Sequence, residues 1–565
     1  MSIAMPHKAV WLINYIFGEK IMLGLMQNWP LTVDKIMDHA ATNHGRREVV
    51  TRSVEGPIVR TTYSEIHARA KQVSNALLAE GIAHGDRVAT LAWNSGRHLE
   101  VWYGAMGIGA VLHTLNPRLF PEQLVYIINH AEDKLIFTDL TFLPLLEALK
   151  DKLATVARYV VLTDKDHMPE CGLKGVIDYE SWISDHSAQA SWGGFDEHTA
   201  AGLCYTSGTT GNPKGVLYSH RSNVLHTLLT MQKDVMGLGA RDVILPVVPM
   251  FHANAWGVAL SAPAAGAKMV MPGAKMDGAS IYELLESEYV TFSAAVPTVW
   301  MMLLQYLEST NSRLSTLKRV AIGGSAVPER IMRLFEEKYG VEVLHAWGMT
   351  ETSPLGTLGS LGPEADGLSH EEQIKLKLKQ GRPPFGVEIK ILRDGMQAPR
   401  DGQTFGNLVV RGAAIAASYF KGEGGDILDQ DGFFDTGDVA TIDEHGFMHI
   451  TDRAKDVIKS GGEWISSIDV ENVAVGAPGV AVAAVIGKYH PKWDERPLLI
   501  LEMAKGASST KADIFAYLDG KIAKWWMPDD IVFVDAIPLG ATGKINKLAL
   551  RETFKAYELP TALVS

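Results

Sequence analysis

The sequence predicts an α/β protein: a large N-terminal domain in which helices cover parallel sheets, a β-rich subdomain, and a small α+β C-terminal domain. Three observations predict this architecture, namely the length of 565 residues, an alternation of helical and strand patterns, and a change of texture after residue 358. A chain of this length is too long for one ordinary core, and it favours about three or four domain-sized units.

The alternation of helix and strand is clearest in residues 63–92. Apolar side chains recur at helical spacing in residues 63–78, Gly81 closes the predicted helix, and residues 88–92 form a predicted strand. The apolar positions of the helix are Ile66, Ala70, Val73 and Leu77. Further predicted strands lie at residues 111–115, 134–138, 159–162 and 290–294. Strands that alternate with helices predict parallel sheets covered by helices.

The texture of the chain changes after residue 358. Residues 359–367 are rich in Gly and Pro, residues 374–379 are charged, and shorter β-like segments follow at residues 387–392 and 407–411. We interpret this stretch as the β-rich subdomain.

The chain ends in a compact unit. Residues 452–462 are polar and contain glycines, and we place a domain boundary near Arg453. Beyond this boundary the sequence predicts a helix near residues 511–523 and strands at residues 480–486, 498–503 and 531–534.

The N-terminal segment is apolar but short. Residues 9–17 are apolar, and Gly18, Glu19 and Lys20 interrupt them well before the roughly 20 residues that a membrane span requires. We favour an extension over residues 1–30 that packs on the body, or a start codon placed upstream of a real start at Met22, over a signal peptide. No transmembrane segment is predicted, and a weak interfacial contact with a membrane stays open as an alternative.

Charge and cysteine content narrow the function. The 53 basic and 65 acidic residues leave a net charge of -12, which argues against a nucleic-acid binder because such a surface would be basic. Cys171 and Cys204 are far apart and belong to no CxxC or Cys/His cluster, so neither a disulfide framework nor a structural zinc is predicted. A reducing, cytoplasmic location fits these thiols.

Residues 205–215, reading YTSGTTGNPKG, combine glycines, hydroxyls and one lysine behind a short apolar run. Glycines let several backbone amides converge on a polyanion, hydroxyls can contact phosphate oxygens or Mg2+, and the lysine adds positive charge. The residues in question are Thr206, Ser207, Gly208, Thr209, Thr210, Gly211 and Lys214. The stretch is not a Walker loop, because Lys214 follows Pro213 and precedes Gly215. We predict a nucleoside triphosphate site, with a polar surface loop as the alternative.

This stretch resembles the nucleotide signature of the adenylate-forming (ANL) superfamily, which contains acyl-CoA synthetases, peptide-synthetase adenylation domains and beetle luciferases. Further segments agree in the order of the family and extend the resemblance over roughly residues 40–551. They are FHANAWG at 251, GGSAVP at 323, WGMTE at 347, TGD at 436, DRAKD at 452, SGGEWIS at 460 and GKINK at 543. The resemblance implies activation of a carboxylic acid by attack on the α-phosphate of ATP, and a C-terminal domain that is mobile about a hinge.

The resemblance assigns the nucleotide contacts residue by residue. Glu351, with Thr350, matches the contacts to magnesium and the α-phosphate, and Thr206 supplies a second hydroxyl near the metal. Trp347 is expected to stack on adenine. Additional nucleotide contacts fall on Gly324, Ser325, Gly348 and Met349. Outside this motif, a Thr-Glu pair would be interpreted as a helix cap and a Trp as part of the core.

The motifs in the C-terminal part of the chain would supply the remaining contacts to ribose, phosphate and the acid. Asp438 matches the carboxylate that accepts hydrogen bonds from ribose hydroxyls, and Arg453 matches an arginine that contacts ribose or phosphate. A simple turn and a surface salt bridge are the alternatives. Lys544 matches the catalytic lysine, a mobile ammonium that bridges the carboxylate and the α-phosphate during adenylation.

In the second half-reaction of the family, the C-terminal domain turns and the acyl group passes to coenzyme A. Lys455 aligns with the hinge, which gives a large domain over residues 31–452, a hinge over residues 453–456 and a small domain over residues 457–565. Glycines would let the segment SGGEWIS approach the pantetheine arm closely, although a β-turn explains them equally well. The residues assigned to coenzyme A are Gly461, Gly462, Glu463 and Trp464.

The resemblance places the acyl group beside His252, Trp256, Gly323 and Ala346, and the apolar residues 258–265 follow. Peptide-synthetase domains usually have an Asp at the position of His252, which argues against an amino-acid substrate. FHANAWG is most similar to medium- and long-chain fatty acyl-CoA synthetases, in which the Trp gates the acyl tunnel, and to methylmercaptopropionate-CoA ligases. Core positions for the His and the Trp are the alternative.

Together these features predict an ATP-dependent, AMP-forming carboxylic acid:CoA ligase that acts on a medium- to long-chain fatty acid, with ATP, Mg2+ and coenzyme A as cofactors. The alternatives are another apolar acid such as methylmercaptopropionate or an aromatic acid, or a non-CoA acceptor. A rival from another class is a non-catalytic nucleotide or lipid sensor. A sensor would have lost Lys544 or Glu351, and both are present. Similar enzymes are often homodimers.

Overall fold

The computed structural model describes residues 24–206, 212–461, 463–504, 506–539 and 545–563. The apolar segment at residues 9–17 lies outside this range. Within it, no helix is both long enough and apolar enough to cross a bilayer.

Two large sheets form most of the N-terminal part, and parallel strands dominate both. The strands of the first sheet, in spatial order, are Val176–Asp178, Arg158–Val161, Leu135–Thr138, Arg87–Leu91, Val111–Thr114, Ala200–Tyr205 and Gly215–Ser219. The strands of the second sheet are Leu355–Gly359, Glu342–Gly348, Arg319–Ile322, Phe292–Ala295, Val243–Pro246, Lys268–Met271, Glu48–Arg52 and Ile58–Thr62. Antiparallel pairs close the first sheet at its 215–219 edge and the second sheet at both edges.

Helices connect these strands, as right-handed crossovers between parallel strands require. In this part of the chain they are Asp34–His44, Tyr63–Ala79, Gly96–Gly107, Pro121–Ala131, Leu143–Leu149, Tyr179–Ser184, His220–Met231, Val258–Ala265, Gly278–Ser287, Pro297–Thr310, Glu329–Arg333 and His370–Lys377. The predicted α/β architecture, with helices over parallel sheets, is confirmed.

The helix Tyr63–Ala79 shows how local sequence sets an element. Thr62 and Glu65 form a capping box at its start, which satisfies backbone N–H groups that have no partner inside the helix. The predicted apolar face is buried, and Gly81 follows the helix with φ +79, a conformation that glycine adopts without strain.

The β-rich subdomain is an antiparallel sheet, and it begins later than the change of texture suggested. Its strands are Met396–Gln397, Val387–Arg393, Gly406–Gly412, Phe434–Ile442 and Met448–Arg453. The charged stretch 374–379, expected inside it, instead falls largely in the helix His370–Lys377. Ser369 and Glu372 form a capping box at the start of this helix, and Ile374 is buried on its apolar face.

The C-terminal unit is a further sheet with helices. Its strands are Glu463–Ile465, Ile458–Ser460, Asp494–Met503 and Val480–His490, with Asp530–Val534 parallel to the third of these. Its helices are Ser467–Val475, Lys511–Leu518 and Lys547–Thr553. The helix predicted near residues 511–523 ends at Leu518 because the chain turns there, with Gly520 at φ +74.

The predicted site motifs follow the carboxyl ends of strands in the two large sheets. Thr206 follows Ala200–Tyr205, Gly323 follows Arg319–Ile322, and Met349 follows Glu342–Gly348. In open α/β sheets this edge is where ligands bind.

Candidate active site

The predicted phosphate loop joins two antiparallel strands, Ala200–Tyr205 and Gly215–Ser219. At its base, the Thr206 N–H donates to the Lys214 carbonyl oxygen at 2.9 Å, and the Lys214 N–H donates to Thr206 Oγ1 at 3.1 Å. Lys214 Nζ lies 4.9 Å from the centroid of the Tyr419 ring. The described residues at the two ends of the loop are therefore joined to each other by backbone and side-chain hydrogen bonds. Five predicted phosphate contacts, Ser207, Gly208, Thr209, Thr210 and Gly211, lie outside the described residues.

Glu351 lies in a short 3-10 turn, Thr350–Thr352, directly after the strand Glu342–Gly348. Its side chain is buried, and the Tyr419 hydroxyl donates to Glu351 Oε1 at 2.5 Å. Burial raises the pKa of the Glu351 carboxyl, and the hydrogen bond from Tyr419 lowers it in part. Thr350 accepts a hydrogen bond at its carbonyl oxygen from the Tyr218 hydroxyl at 2.7 Å. The turn is thus fixed at both the backbone and the carboxylate.

The residues assigned to the metal, Glu351 in this turn and Thr206 after the strand Ala200–Tyr205, have chemistry that would suit Mg2+. Glu351 and Thr206 supply hard oxygen atoms, and the charge of Lys214 acts on the Glu351 carboxyl. Among the described residues, no group of three or more His, Cys, Asp or Glu side chains could hold a metal ion by itself. Mg2+ commonly binds through one or two protein oxygens together with substrate phosphates, so these residues suit an ion that arrives with a nucleotide.

Among the described residues, the side chains of Trp347 and Arg453 both contact the Asp438 carboxylate. The Trp347 indole N–H donates to Asp438 Oδ2 at 2.8 Å, and Arg453 Nε lies 2.8 Å from Asp438 Oδ1. Asp438 and Arg453 are also direct neighbours in the antiparallel pairing of Phe434–Ile442 with Met448–Arg453. This geometry fixes the carboxylate in one orientation, as the recognition of a pair of hydroxyls would require.

Trp347 is itself buried, and Gly356 makes room for its ring. A Cβ atom at Gly356 would lie 2.2 Å from Trp347 Cζ3. Stacking of Trp347 on adenine stays a prediction, whereas the indole N–H has an observed partner in Asp438. Next along the strand, a Cβ at Gly348 would lie 1.9 Å from the Pro354 carbonyl oxygen, so a side chain would force the turn apart. The Met349 N–H donates to Thr352 Oγ1 at 3.0 Å.

Three residues predicted to line the acyl site meet in the structure. A Cβ at Gly323 would lie 2.8 Å from the Ala346 carbonyl oxygen and 3.3 Å from Trp256 Cη2. The tip of the Trp256 indole therefore lies over Gly323, beside the strand that leads to Glu351. Next to Gly323, Gly324 adopts φ +83 and Ser325 is exposed.

His252 begins an unusual turn. The residues Ala253, Asn254, Ala255 and Trp256 have φ values of +43, +54, +50 and +55, all in the left-handed region, where each non-glycine residue costs about 1–2 kcal/mol. His252 itself is extended, with φ -133. The turn aims Trp256 toward Gly323 and is the most strained backbone near the site.

His226 supports this turn and was not predicted. A Cβ at Gly257 would lie 2.7 Å from the His226 ring, and the Leu355 N–H donates to His226 Nε2 at 3.2 Å. Burial lowers the pKa of His226 to about 4, so the ring is neutral with its proton on Nδ1. No motif marks this histidine in the sequence.

The segment predicted to meet coenzyme A packs on aromatic side chains. Gly461 has φ +60, and a Cβ there would lie 2.9 Å from Trp493 Cε3. The Trp464 ring lies 5.3 Å from that of Phe405 in the β-rich subdomain. Glu463 begins the strand Glu463–Ile465, and Gly462 lies outside the described residues.

The predicted hinge connects the last two sheets. The Ala454 N–H donates to the Gly437 carbonyl oxygen at 3.0 Å, and Arg551 donates to Asp456 at 2.6 Å. Burial lowers the pKa of Lys455. Lys544, predicted as the catalytic lysine, lies outside the described residues.

Thr206 and Glu351 follow strands of the two large sheets, and Asp438 is oriented within the antiparallel sheet by Trp347 and Arg453. This arrangement is the one expected of a nucleotide-binding enzyme of the adenylate-forming type. The chain belongs to the AMP-binding enzyme family, since the model of that family matches residues 37–420. The model of the AMP-binding enzyme C-terminal domain matches residues 469–544.

The chain is also similar to individual acyl-CoA ligases over nearly its whole length. It is 50% identical over 535 residues to 3-methylmercaptopropionyl-CoA ligase of Ruegeria lacuscaerulensis, covering 94% of this chain and 99% of the relative. It is 48% identical over 534 residues to medium-chain-fatty-acid–CoA ligase of Ectopseudomonas oleovorans, covering 94% and 98%. The predicted resemblance to fatty acyl-CoA and methylmercaptopropionate-CoA ligases is therefore confirmed, and the chain is an enzyme of the acyl-CoA ligase group.

The fold agrees with this assignment. The structure is similar to that of the anthranilate CoA ligase AuaEII in complex with anthranoyl-AMP, with a TM-score of 0.82, 25% identity, and coverage of 94% of this chain and 99% of that one.

Proposed function

We propose that this protein is an ATP-dependent, AMP-forming carboxylic acid:CoA ligase that activates a medium- to long-chain fatty acid. The observation that carries the proposal is the arrangement of residues 347–351. At one end Trp347 donates to Asp438, and at the other end Glu351 accepts from Tyr419. One short segment thus connects the carboxylate suited to ribose with the carboxylate suited to Mg2+.

The proposed chemistry makes an acid reactive. A carboxylate oxygen attacks the α-phosphorus of ATP, the bond from that phosphorus to the bridging oxygen of pyrophosphate breaks, and an acyl-AMP anhydride forms. The thiol sulfur of coenzyme A then attacks the acyl carbon, AMP leaves with the electron pair of the broken C–O bond, and the thiol proton passes to solvent.

Each residue has a proposed role in these steps. Thr206, Lys214 and the loop between them hold phosphate oxygens, and Asp438 accepts hydrogen bonds from ribose hydroxyls. Glu351 and Thr206 hold Mg2+, which when bound would neutralise charge on the triphosphate. Lys544, assigned from sequence, contacts the acid and the α-phosphate.

The acyl group is proposed to lie beside Trp256, Gly323 and Ala346. Contact of the Trp256 ring with Gly323 supports an apolar, narrow site, and the half-buried His252 beside this turn offers no anionic partner for an ammonium group. A thioether acid such as methylmercaptopropionate is a second candidate, because a ligase for that acid is 50% identical to this chain.

The second step depends on a proposed domain movement. We assign residues 31–452 to a large domain, residues 453–456 with Lys455 to a hinge, and residues 457–565 to a small domain. Gly461, Gly462, Glu463 and Trp464 would then meet the pantetheine arm. The β-strand that ends at Arg453 and the turn that follows support a hinge at this point.

The proposal extends to the setting of the enzyme. The two cysteines are free thiols, which supports a reducing cytoplasm. We also propose a homodimer, because similar enzymes are often homodimers. Cell fractionation and analytical ultracentrifugation test these two points.

Product analysis tests the reaction. Purified protein with ATP, Mg2+, coenzyme A and a panel of short, medium, long, aromatic and thioether acids is expected to release AMP and pyrophosphate. Acid labelled with 18O should transfer one labelled oxygen to AMP. Release of ADP, or unlabelled AMP, would contradict the proposal, and thioester formation without dependence on coenzyme A would point to another acceptor.

Lys544→Ala tests the assignment of the catalytic lysine. We expect adenylation to slow by at least about 100-fold, while transfer from supplied acyl-AMP to coenzyme A is retained. Lys555→Ala, which removes an exposed lysine of the same region, is the control and should leave both steps unchanged. Equal loss of both steps in Lys544→Ala would contradict the proposal that the small domain takes different positions for adenylation and for transfer to coenzyme A.

A further inference from the structure

Tyr419 contacts both charged side chains at the triphosphate end of the site. Its hydroxyl donates to Glu351 Oε1 at 2.5 Å, and its ring lies 4.9 Å below Lys214 Nζ. The side chain is nearly buried, and the Phe434 ring packs against it at 6.5 Å. Neither contact is visible in the sequence, because Tyr419 belongs to no motif of the predicted site.

The backbone around Tyr419 is fixed to the same two elements. The Ala416 N–H donates to the Glu351 carbonyl oxygen at 2.8 Å, and Ser353 Oγ donates to the Ala414 carbonyl oxygen at 2.7 Å. Farther along, a Cβ at Gly424 would lie 3.0 Å from Lys214 Nζ. Residues 414–424 therefore run from the Glu351 turn to the phosphate-loop lysine.

This segment is anchored on the helix Pro121–Ala131 and the residue that follows it. Glu423 accepts from the Tyr126 hydroxyl at 2.6 Å, and Lys421 pairs with Glu132 at 2.7 Å. Two polar contacts thus connect the segment to one neighbouring element. Together with the bonds to Glu351 and Ser353, these contacts position the backbone around Tyr419.

The electrostatics explain what such a residue would accomplish. Lys214 and Glu351 carry opposite charges, and the lysine charge acts on the carboxyl, yet these two described side chains form no ion pair with each other. The Tyr419 ring lies under the ammonium, where a cation–π contact is favourable, and its hydroxyl occupies one lone pair of the carboxylate. The remaining carboxylate lone pairs and the ammonium N–H groups can then bind Mg2+ and phosphate separately.

We propose that Tyr419 is a positioning residue for the triphosphate end of the site: its hydroxyl orients Glu351 toward Mg2+, and its ring holds Lys214 for phosphate and keeps the two charges apart. The inference rests on the proposed function, since it requires a nucleoside triphosphate with Mg2+ as the ligand. It concerns binding and geometry, and Tyr419 takes part in no bond that forms or breaks.

Equilibrium binding of ATP separates the two contacts. Tyr419→Phe keeps the ring and removes the hydroxyl, so ATP binding with Mg2+ should weaken about tenfold, while ATP binding in EDTA should not change. Tyr419→Leu also removes the ring, so binding should weaken under both conditions. Isothermal titration calorimetry measures both constants without turnover.

A matched control tests whether the effect is specific to the location of Tyr419 or follows from the loss of any buried tyrosine hydroxyl. Tyr63 is fully buried, and its hydroxyl donates to the Ala267 carbonyl oxygen at 2.6 Å. Tyr63→Phe should leave ATP binding unchanged with and without Mg2+. If Tyr419→Leu fails to fold, Tyr419→Phe alone decides.

Two results would overturn the inference: Tyr419→Phe with unchanged ATP binding in Mg2+, or equal weakening in Mg2+ and in EDTA, which indicates a general structural role. Failure of the proposed function is recognised separately. A wild-type protein that binds Mg2+-ATP but forms no thioester would contradict the ligase reaction while the Tyr419 comparison still stands, and a wild-type protein that binds no ATP would contradict both.

Discussion

Glu351 and Asp438, the two carboxylates predicted to serve the nucleotide, are held in different ways. Asp438 has Trp347 on one oxygen and Arg453 on the other. Glu351 accepts from Tyr419, forms no ion pair with the described residues, and has its pKa raised by burial. A carboxylate without a positive partner among the described residues would suit an incoming cation, whereas one with both oxygens fixed would suit the recognition of neutral hydroxyls.

Glu351→Gln should have the largest effect, because it removes the charge while keeping the shape. We expect adenylation to fall by about 100- to 1,000-fold, with ATP binding weakened in Mg2+ and retained in EDTA. Pyrophosphate exchange and calorimetry measure these quantities. Glu351→Asp, which keeps the charge but shortens the reach, should lie between Gln and wild type, and wild-type activity in Glu351→Gln would refute the metal assignment.

Asp438→Asn should act on nucleotide affinity more than on the chemical step. A carboxylate that accepts from two hydroxyls is replaced by a weaker acceptor, so KM for ATP should rise about 30- to 100-fold with kcat changed less. The preference for ATP over 2′-deoxy-ATP should shrink in the same variant. Asp435→Asn, at an exposed position on the same strand, is the control. A similar rise in KM for ATP in that variant would contradict a specific role of Asp438 in nucleotide binding.

Trp347→Phe should have a smaller effect that depends on Asp438. The ring is largely kept, but the N–H on Asp438 Oδ2 is lost, so KM for ATP should rise about tenfold. In a double-mutant cycle the substitution should have little effect when Asp438 is already Asn. Full additivity in that cycle would show that Trp347 acts on the nucleotide directly, as stacking on adenine would require.

The smallest expected effect concerns stability without ligands. Because burial raises the pKa of Glu351, its contribution to stability is present below the pKa of an unfolded glutamate and is lost as pH rises through the folded value. Glu351→Gln does not titrate and should raise the free energy of unfolding of the ligand-free protein at pH 8 by on the order of 1 kcal/mol.

Urea unfolding at two pH values checks this sign. The advantage of Glu351→Gln should narrow at acidic pH, where the wild-type carboxyl is protonated. Equal or lower stability of the variant at pH 8 would show that the charge of Glu351 is already compensated in the ligand-free protein.

Much of the fold could be predicted from the sequence because its signals are local. The helix Tyr63–Ala79 follows from its apolar spacing and from the Gly81 that closes it, and the predicted strands shift by only a few residues in the structure. The stretch 374–379 differs from the prediction because its charged residues hide two buried apolar positions, Ile374 and Leu376, and Ile374 belongs to the core cluster of the second sheet.

The candidate site was less predictable where it depends on contacts between distant segments. Glu351, Asp438 and Lys214 stand in motifs and could be named. Tyr419 and His226 could not, since each acts through a partner far away in the chain. Trp347 is predicted to stack on adenine, whereas the structure shows its indole N–H bonded to Asp438. No local pattern predicts that an indole N–H will contact a carboxylate on another sheet.

The left-handed turn at residues 253–256 has a practical consequence for testing whether Trp256 selects the acid. Branching at Cβ is poorly tolerated at positive φ. Val, Ile or Thr at 253, 254 or 255 would therefore distort the loop, and a change in acid preference could not be assigned to the new side chain. Variant libraries aimed at Trp256 should therefore vary the size of the side chain at 256 and keep the native residues at the three preceding positions, or admit only Gly, Asn or Asp there.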